Sequence, residues 1–407
     1  MKIFFKFIVY FPIFPFLLLI VLINKIVLIR FGCLISERIG HFGCVTELYL
    51  CNKKKVFGFP IVIDFFCFNS VICNNRIAKY CRQELHILPR RIVLSFLFFI
   101  RLFPFLKRHD IFNQGSDIEN YNFFMHRDIN NILDDSKKNF YFSDTEIATS
   151  KKILAKLDLL NNKKKAIFFH RDNFFFEKYL ENKSYKYLST KNTNILDYEL
   201  CVKMLLDNDY QVIRLGKGSN KDLNIFNSSY LDLTNHPMKT DLLEMYLISK
   251  CDIIFGPNSG ALYNAVYLFR KPCFVSNYIP YAMFHSYSKF FMYNFKKYKC
   301  LVTNKVLNLS EVFNRGDLAY NEHIDILIKE RVSLIDQSPE EMTASLKEMI
   351  LKESKSNSEI NEEKLLKNKF TENLFYNLKK KRNFKLHGDI RCSFGYSYLK
   401  NNPHLYL

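Results

Sequence analysis

The chain has 407 residues, of which 48% are apolar and 24% are charged, and this composition excludes a disordered, fibrous or low-complexity protein. Its 59 Lys and Arg residues outnumber its 40 Asp and Glu residues, and the resulting formal net charge of +19 favours anionic partners such as phosphates, acidic lipid headgroups or nucleic acid. The length is sufficient for two packed domains.

The chain begins with an apolar stretch, Phe7 to Ile23, that has no charged or amide side chain and is flanked by basic residues. This pattern predicts a membrane anchor over residues 1–25. Because Pro12 and Pro15 would kink a continuous helix, a full crossing and a monotopic anchor both stay open. A cleaved signal peptide is the alternative, but no small-x-small cleavage site follows the stretch.

Downstream of the anchor, the apolar segment Ile26 to Cys33 predicts a buried strand. A polar loop with two glycines, Ser36 to Gly43, follows it, and then a helix that carries Glu47. Strand, glycine loop and helix are the usual opening of a doubly wound domain, which we place at residues 26–160. Over residues 107–150 the periodicity fades, and we expect irregular structure and a linker there.

A second apolar segment, Ile92 to Leu106, contains Arg101 as its one charged residue and ends in the basic triplet Lys107-Arg108-His109. Such a pattern suits a surface that lies against anionic lipid headgroups. A buried helix with a solvated end explains the pattern equally well.

From Lys163 onward, strands and helices alternate regularly, which predicts a second Rossmann-like domain over residues 161–335. The predicted strands are Ala166–His170, Tyr210–Leu215, Ser229–Leu233, Asp252–Phe255 and Cys273–Ser276. The predicted helices are Asp197–Leu206, a helix from the N-cap Thr240 through Lys250, and Gly260–Phe269. Because only helical crossovers return parallel strands, we expect a parallel sheet.

The remaining residues, 336–407, are predicted to form C-terminal helices and a basic tail. Pro339 suits the first position of a helix. We expect the tail to be a solvated or membrane-facing appendage, since no nucleic-acid-binding motif accompanies its charges. The 11 cysteines form no CxxC pair and no zinc-binding spacing, which predicts reduced structural thiols and no metal.

Ligands of open α/β sheets bind beyond the carboxyl ends of the strands, and polar residues follow several predicted strands. These candidate ligand-binding residues are His170, Arg171, Asp172, Arg214, Gly216, Asn258, Ser259, Gly260 and Asn277. The turn at Ser259 opens a helix, whose amino end favours an anion. Arg171 and Arg214 would add charge-assisted hydrogen bonds worth about 1.5–3 kcal/mol each.

These residues therefore predict a diphosphate site. The alternatives are that Ser259 only caps its helix, that either arginine is a surface charge, and that His170 packs against the sheet. Neither a Walker A loop nor a GxGxxG motif is present, so ATP hydrolysis is disfavoured.

Several of these motifs together resemble a family of bacterial glycosyltransferases of surface carbohydrate synthesis, over residues 28–350. The matching segments are Arg38–His41, Thr46–Leu50, His170–Asp172, Arg214–Gly216, Asp241–Leu247, Phe255–Gly260, Lys271–Pro272 and Asn277. The carboxyl half is also similar to two-domain sugar transferases, including protein O-fucosyltransferases, which direct a His-x-Arg motif toward the donor diphosphate. Asn258 and the lengthened turn at Lys217-Gly218 depart from the family pattern.

The resemblance implies two Rossmann-like domains of the GT-B type, with a nucleotide-sugar bound by the second domain and the acceptor by the first. It implies no cofactor besides this donor. The acceptor would be a surface glycan, as in lipopolysaccharide biosynthesis, or a lipid-linked precursor, at the cytoplasmic face of the inner membrane. The anchor and the basic faces fit an anionic membrane surface as a partner, and no nucleic acid is expected.

Arg171, Arg214, Ser259 and Gly260 would stabilise the leaving diphosphate without a metal, in keeping with the lack of an Asp-x-Asp motif in a suitable loop. For an inverting reaction, His41, Glu37 and Glu47 are the candidate general bases, and we favour His41. A histidine that bonds the backbone is the alternative for His41.

Two other functions stay open at this point. One is a non-catalytic, membrane-tethered binder of anionic glycans or lipids. The other is a different group transferase on the same architecture, such as a pyruvyl transferase.

Overall fold

The protein is described by a computed structural model. The structure describes residues 10–53, 61–112, 127–159, 162–172, 174, 189–218, 221–351, 356–381 and 386–406. The chain divides into two compact units, one of residues 1–128 with 135–141 and the other of residues 129–134 with 142–407. This division differs from the predicted boundary at residue 160, because the helix Asp144–Lys156 packs within the second unit.

The first unit is an α/β structure around a small parallel sheet. In chain order it contains α1 (Phe14–Ile23), β1 (Val27–Leu34), α2 (Ile39–Asn52), β2 (Ile61–Phe68), α3 (Asn75–Glu84), β3 (His86–Ile87) and α4 (Arg90–Leu102), and then the 3-10 helix Pro104–His109. The three strands pair in parallel in the order β1-β2-β3.

Helix α2 begins earlier than the sequence pattern predicted. It starts at Ile39, so Gly40, His41 and Gly43 lie in the helix and the predicted loop is short. The physical reason is the helical spacing of the buried residues Phe42, Val45 and Leu48, which holds this segment against the sheet.

Residues 1–9 of the predicted anchor lie outside the described residues. No helix within the described ranges is both long enough and apolar enough to cross a membrane. Pro12 and Pro15 lie in the first turns of the 3-10 helix Phe11–Ile13 and of α1, where proline removes no helical hydrogen bond, so neither kinks a helix. Helix α1 packs on α4 through the buried residues Leu17 and Ile20.

The second unit has a larger sheet with helices on both faces. In chain order it contains α5 (Asp144–Lys156), β4 (Lys164–Phe169), the 3-10 helix Ile195–Tyr198, α6 (Glu199–Asp207), β5 (Tyr210–Leu215), β6 (Tyr230–Asp232), α7 (Asp241–Lys250), β7 (Ile253–Pro257), α8 (Gly260–Phe269), β8 (Cys273–Tyr278), β9 (Phe291–Phe295), β10 (Lys297–Cys300), α9 (Leu309–Asn314), α10 (Ile324–Lys329), β11 (Val332–Ile335), α11 (Pro339–Leu351), α12 (Asn357–Lys381), β12 (Ser393–Phe394) and α13 (Tyr396–Asn401).

The seven strands of the main sheet are parallel and have the order β12-β9-β8-β7-β4-β5-β6. The predicted parallel α/β sheet is thus confirmed. Helices α6 and α11 cover one face, where they pack on Ala166, Phe168 and Val212. Helix α7 contacts β4 and helix α8 contacts β7. Because crossovers between parallel strands are almost always right-handed, we expect these helices on the opposite face.

The direction in which successive strands are added to the sheet changes next to β4. The chain runs from β4 outward to β5 and β6 and then returns to the other side of β4 with β7. Gly256 of β7 has a φ of 153°, and a side chain there would collide with the backbone carbonyl oxygen of Phe169 at the end of β4. Glycine therefore permits close approach of the two strands where the switch-point crevice of such a sheet begins.

The C-terminal residues are an integral part of the second unit, which corrects the prediction of a solvated or membrane-facing appendage. Helix α12 buries Phe370 and Leu374, and β12 pairs with β9 at the edge of the main sheet. The physical reason is that apolar side chains spaced along the charged segment find a packing surface within the unit. In the basic cluster 379–382, the side chains beyond Lys379 lie outside the described residues.

The amino end of α7 carries a side-chain cap. Thr240 Oγ1 accepts a hydrogen bond from the Leu243 amide at 3.1 Å, as predicted. Thr240→Ala should lower the free energy of unfolding by about 1 kcal/mol, because a helix amide loses its partner. Urea denaturation measures this, with Thr240→Ser as the matched control that keeps the oxygen. Equal losses in both variants would contradict the capping role.

Candidate functional site

The switch point of the second unit brings together two of the predicted segments. His170, Arg171 and Asp172 directly follow β4, and Ser259 and Gly260 directly follow β7, its neighbour in the sheet. Ser259 takes the N-cap position of α8, but its side chain makes no capping hydrogen bond. The positive end of a ten-residue helix therefore faces this edge without a side-chain cap from Ser259.

The His170 ring is held against the loop that crosses this edge. Its Nε2 lies 3.0 Å from the carbonyl oxygen of Thr193, to which it donates, and the Nδ1 of the neutral ring is then an acceptor. Burial lowers the pKa of His170 to about 4, and the nearby Arg214 charge acts in the same direction. His170 is thus neutral near neutral pH and does not add positive charge for an anion.

The lowered pKa of His170 predicts a pH dependence of stability. As the pH falls from about 6.5 to 4, the His170 ring is protonated in the unfolded chain but is still neutral in the folded chain. Over this range the free energy of unfolding therefore falls by up to about 1.4 kcal/mol per pH unit from this one group. His170→Gln keeps a donor for Thr193 but removes the titration, so urea denaturation across this range should show a shallower slope. The exposed His86→Gln is the matched control. An unchanged slope for His170→Gln would contradict this account.

Two basic residues, Arg171 and Lys296, come after strands β4 and β9 of the parallel sheet. Arg171 is half-buried, and Lys296, the residue after β9, is 3% exposed. The Lys296 ammonium donates to the carbonyl oxygen of Asn192 at 2.9 Å and lies 2.8 Å from an Asp336 carboxylate oxygen. Burial lowers the pKa of Lys296, Asp336 opposes this, and the Arg171 charge lowers it further. Because Asp336 pairs with Lys296, this lysine does not leave an uncompensated charge at the edge.

Lys296 was not predicted from the sequence. Its strand, β9, is a run of Phe, Met, Tyr and Asn that the periodicity analysis did not single out. The sequence did contain a signal for this residue, because the lysine directly follows an aromatic, strand-forming segment. It therefore lies at the carboxyl end of a strand, where ligands of parallel sheets bind.

Asp172 shapes the turn after β4. Its Oδ1 accepts a hydrogen bond from the Phe174 amide at 3.0 Å. This contact fixes the direction of the chain that leaves His170 and Arg171.

Arg214 does not take the predicted position, and this is a correction. It is 1% exposed, and its guanidinium donates to Asp232 at 2.8 Å, to Asp222 at 3.1 Å and to the carbonyl oxygen of Lys221 at 2.9 Å. The sheet register places Arg214 directly beside Asp232 of β6. Because acidic side chains neutralise it inside the unit, Arg214 stabilises the sheet instead of adding to the cations of the edge.

Three further predicted residues hold the backbone around the site. The Gly216 carbonyl accepts a hydrogen bond from Lys239. The buried Asn258 donates to the Ile279 carbonyl at 2.8 Å and accepts from the Tyr263 hydroxyl at 2.6 Å.

Asn277 is also buried, and it links the end of β8 to the segment before α11. The backbone N–H of Asn277 donates to the side-chain oxygen of Gln337 at 3.0 Å. The backbone N–H of Gln337 donates to the side-chain oxygen of Asn277 at 2.7 Å. The side chains of Asn258 and Asn277 are therefore positioning groups, and this corrects their prediction as direct ligand contacts.

The candidate bases lie in the first unit. Glu37 follows β1 and accepts a hydrogen bond from Asn69, which follows β2, at 2.8 Å. His41 is half-exposed in the first turn of α2. Both residues thus lie at the carboxyl edge of the first sheet, where α/β units bind ligands.

Glu47 lies deeper in α2 than Glu37 and His41, and its placement corrects the prediction of a third candidate base. It is 0% exposed and accepts a hydrogen bond from the Tyr80 hydroxyl at 2.7 Å. An acceptor hydroxyl has no access to a carboxylate in this position, so Glu47 joins α2 to α3.

Within the described ranges, no three His, Cys, Asp or Glu side chains form a group that could hold a metal ion. Asp207 and Asp209 have the Asp-x-Asp spacing, but they precede β5 and lie at the opposite edge of the sheet from the switch point.

The fold and this edge define the class of the second unit. It is a doubly wound α/β unit whose switch point presents the amino end of α8 and the basic residue Arg171. No protein-family model matches the chain, and no curated protein sequence matches it.

Solved structures with a similar fold are glycosyltransferases. The ADP-heptose lipopolysaccharide heptosyltransferase II of E. coli has 13% identity and a TM-score of 0.40, with 65% of this chain and 90% of that chain covered. A family 9 glycosyl transferase of Veillonella parvula has 8% identity and a TM-score of 0.44, with 75% and 97% covered. E. coli heptosyltransferase WaaC, solved with ADP-2-deoxy-2-fluoro heptose, has 12% identity and a TM-score of 0.33, with 70% and 96% covered. At these values the likeness does not establish what this chain binds or does.

Proposed function

We propose that the protein is a glycosyltransferase that moves a sugar from a nucleotide-sugar donor to a surface-carbohydrate acceptor. The observation that carries this proposal is the switch point between β4 and β7, where Arg171 and the amino end of α8 lie at one edge of a parallel sheet. Positive groups and free helix amides at such an edge are suited to the diphosphate of a nucleotide-sugar.

The proposed chemistry follows from where charge develops. Cleavage of the bond between the sugar and the diphosphate leaves negative charge on phosphate oxygens. Fixed cations and helix amides then stabilise the transition state more than the ground state. In this proposal Arg171 and the first amides of α8, next to Ser259 and Gly260, contact the diphosphate, and no metal is required.

The acceptor hydroxyl needs a base if the reaction inverts the configuration of the sugar. His41 and Glu37 are the proposed candidates, because both lie at the carboxyl edge of the first sheet. The acceptor is proposed to be a glycan or a lipid-linked precursor of surface carbohydrate, met at the cytoplasmic face of the membrane.

A thermal-shift screen of the full chain against UDP-, GDP-, CMP-, dTDP- and ADP-sugars tests the proposal. A donor present at about 100 times its dissociation constant adds about 2.7 kcal/mol of stability and raises the melting temperature by several degrees. Chromatography then detects release of the nucleoside phosphate. Stabilisation without donor breakdown or sugar transfer would favour a binding protein, and no response to any donor would overturn the proposal.

A further inference from the structure

The first unit has an apolar face that its own core leaves uncovered. Helix α1 packs on α4 through Leu17 and Ile20, while its other side exposes Phe16, Leu19 and Leu22 by 59%, 56% and 77% of their surfaces. A helix that is apolar all round is normally buried in a protein core or in lipid. The outward side of α1 therefore indicates a contact surface.

The same apolar character continues on the neighbouring elements. Leu102, at the end of α4, is 44% exposed, and Phe105, in the 3-10 helix Pro104–His109, is 69% exposed. The 3-10 helix contacts α4 and β1, so these residues belong to the structure that supports α1. We call the outward side of α1 together with Leu102 and Phe105 the apolar face.

Basic residues accompany the apolar face, and carboxylates do not. Exposed cations on these elements are Lys25, Arg90, Arg91, Lys107 and Arg108. The sequence contains no Asp or Glu from Met1 to Ser36, and none from His86 to His109. Exposed aromatic, aliphatic and basic side chains together are complementary to the interface of an anionic lipid bilayer.

We propose that the apolar face binds an anionic membrane surface, with the outward side of α1 in one leaflet and the cations among the headgroups. This inference deepens the proposed function, because it names the surface that would meet a lipid-linked acceptor.

Vesicle flotation of the purified full chain tests the inference without any donor. Wild type should float with vesicles that contain phosphatidylglycerol, float weakly with pure phosphatidylcholine, and bind less as salt rises. The double variant Leu19→Glu, Leu22→Glu should bind anionic vesicles at least about tenfold more weakly, because it places carboxylates in the apolar face. Leu301→Glu, Val302→Glu is the matched control, since these second-unit residues are 61% and 67% exposed.

A second variant separates the charge from the apolar contact. Lys107→Glu, Arg108→Glu should lose the preference for anionic vesicles, with a reduction of at least about tenfold, because two favourable charges become unfavourable. Circular dichroism and melting temperatures verify that each variant is folded. Both sites are exposed, so wild-type folding is expected.

Two results would overturn the membrane proposal. One is equal flotation of wild type and the Leu19, Leu22 variant. The other is a wild type that ignores vesicles but forms a dimer that this variant dissociates in light scattering, which would show that a second copy of the chain covers the face. A failed donor screen with intact flotation would instead count against the glycosyltransferase proposal alone.

Discussion

Arg171→Ala is expected to weaken nucleotide-sugar binding by roughly 10- to 150-fold, which corresponds to the loss of a charge-assisted hydrogen bond to the diphosphate. Arg171 is half-buried and follows β4 at the switch point of the sheet. Arg171→Lys keeps the charge but loses the bidentate geometry of the guanidinium, so a smaller loss in the same direction is expected. Isothermal titration with the donor found in the screen measures both dissociation constants.

The control for this experiment is Arg82→Ala. It makes the same change of charge on an exposed helix of the first unit, where the Arg82 guanidinium lies 4.9 Å from the centre of the Phe68 ring. Donor affinity should not change in this variant. If Arg171→Ala binds the donor as tightly as wild type does, the edge that carries Arg171 is not the diphosphate site. This conclusion holds even if the variant has lost turnover.

Asp232→Asn is expected to lower the free energy of unfolding by about 3–5 kcal/mol, because it leaves the buried Arg214 guanidinium without its nearest carboxylate. The shape of the side chain is nearly unchanged, and the loss reports the negative charge together with one acceptor, because one oxygen of Asp232 accepts from Arg214 and the other accepts from Thr234. Guanidinium chloride denaturation measures the difference.

Asp222→Asn is the matched control for Asp232→Asn. Both carboxylates accept from the same nitrogen of Arg214, but the Asp222 side chain is 62% exposed and that of Asp232 is 24% exposed. An exposed pair contributes about 0–1 kcal/mol, so Asp222→Asn should remain close to wild type. If Asp232→Asn is equally mild and binds donor more tightly, then Arg214 belongs to the donor site after all.

The apolar face and the proposed donor site belong to different units, and their tests are independent. Flotation measures vesicle binding by the apolar face of the first unit, and titration with a donor measures donor affinity at the switch point of the second unit. A negative result in one of these experiments therefore leaves the other proposal unaffected.

Local patterns in the sequence were sufficient for the regular part of the second unit. Strand β5 and helix α8 were predicted with the observed bounds, and the Thr240 cap of α7 was predicted from the residue type. These features depend on periodicity and on hydrogen bonds within a few residues, which neighbouring residues largely determine. The short strand β12 was missed, because two residues carry no period and gain their partner only from β9.

In the candidate site, too, some features follow from the local sequence and others depend on distant residues. By itself the sequence determined that this is a basic, aromatic-rich α/β chain, with His170-Arg171-Asp172 and Ser259-Gly260 at strand ends. Only the tertiary structure decided that Arg214 faces Asp232 and that Lys296 is buried beside Asp336. The physical reason is that the environment of a charge depends on strand register and on residues far away in the chain, neither of which local periodicity determines.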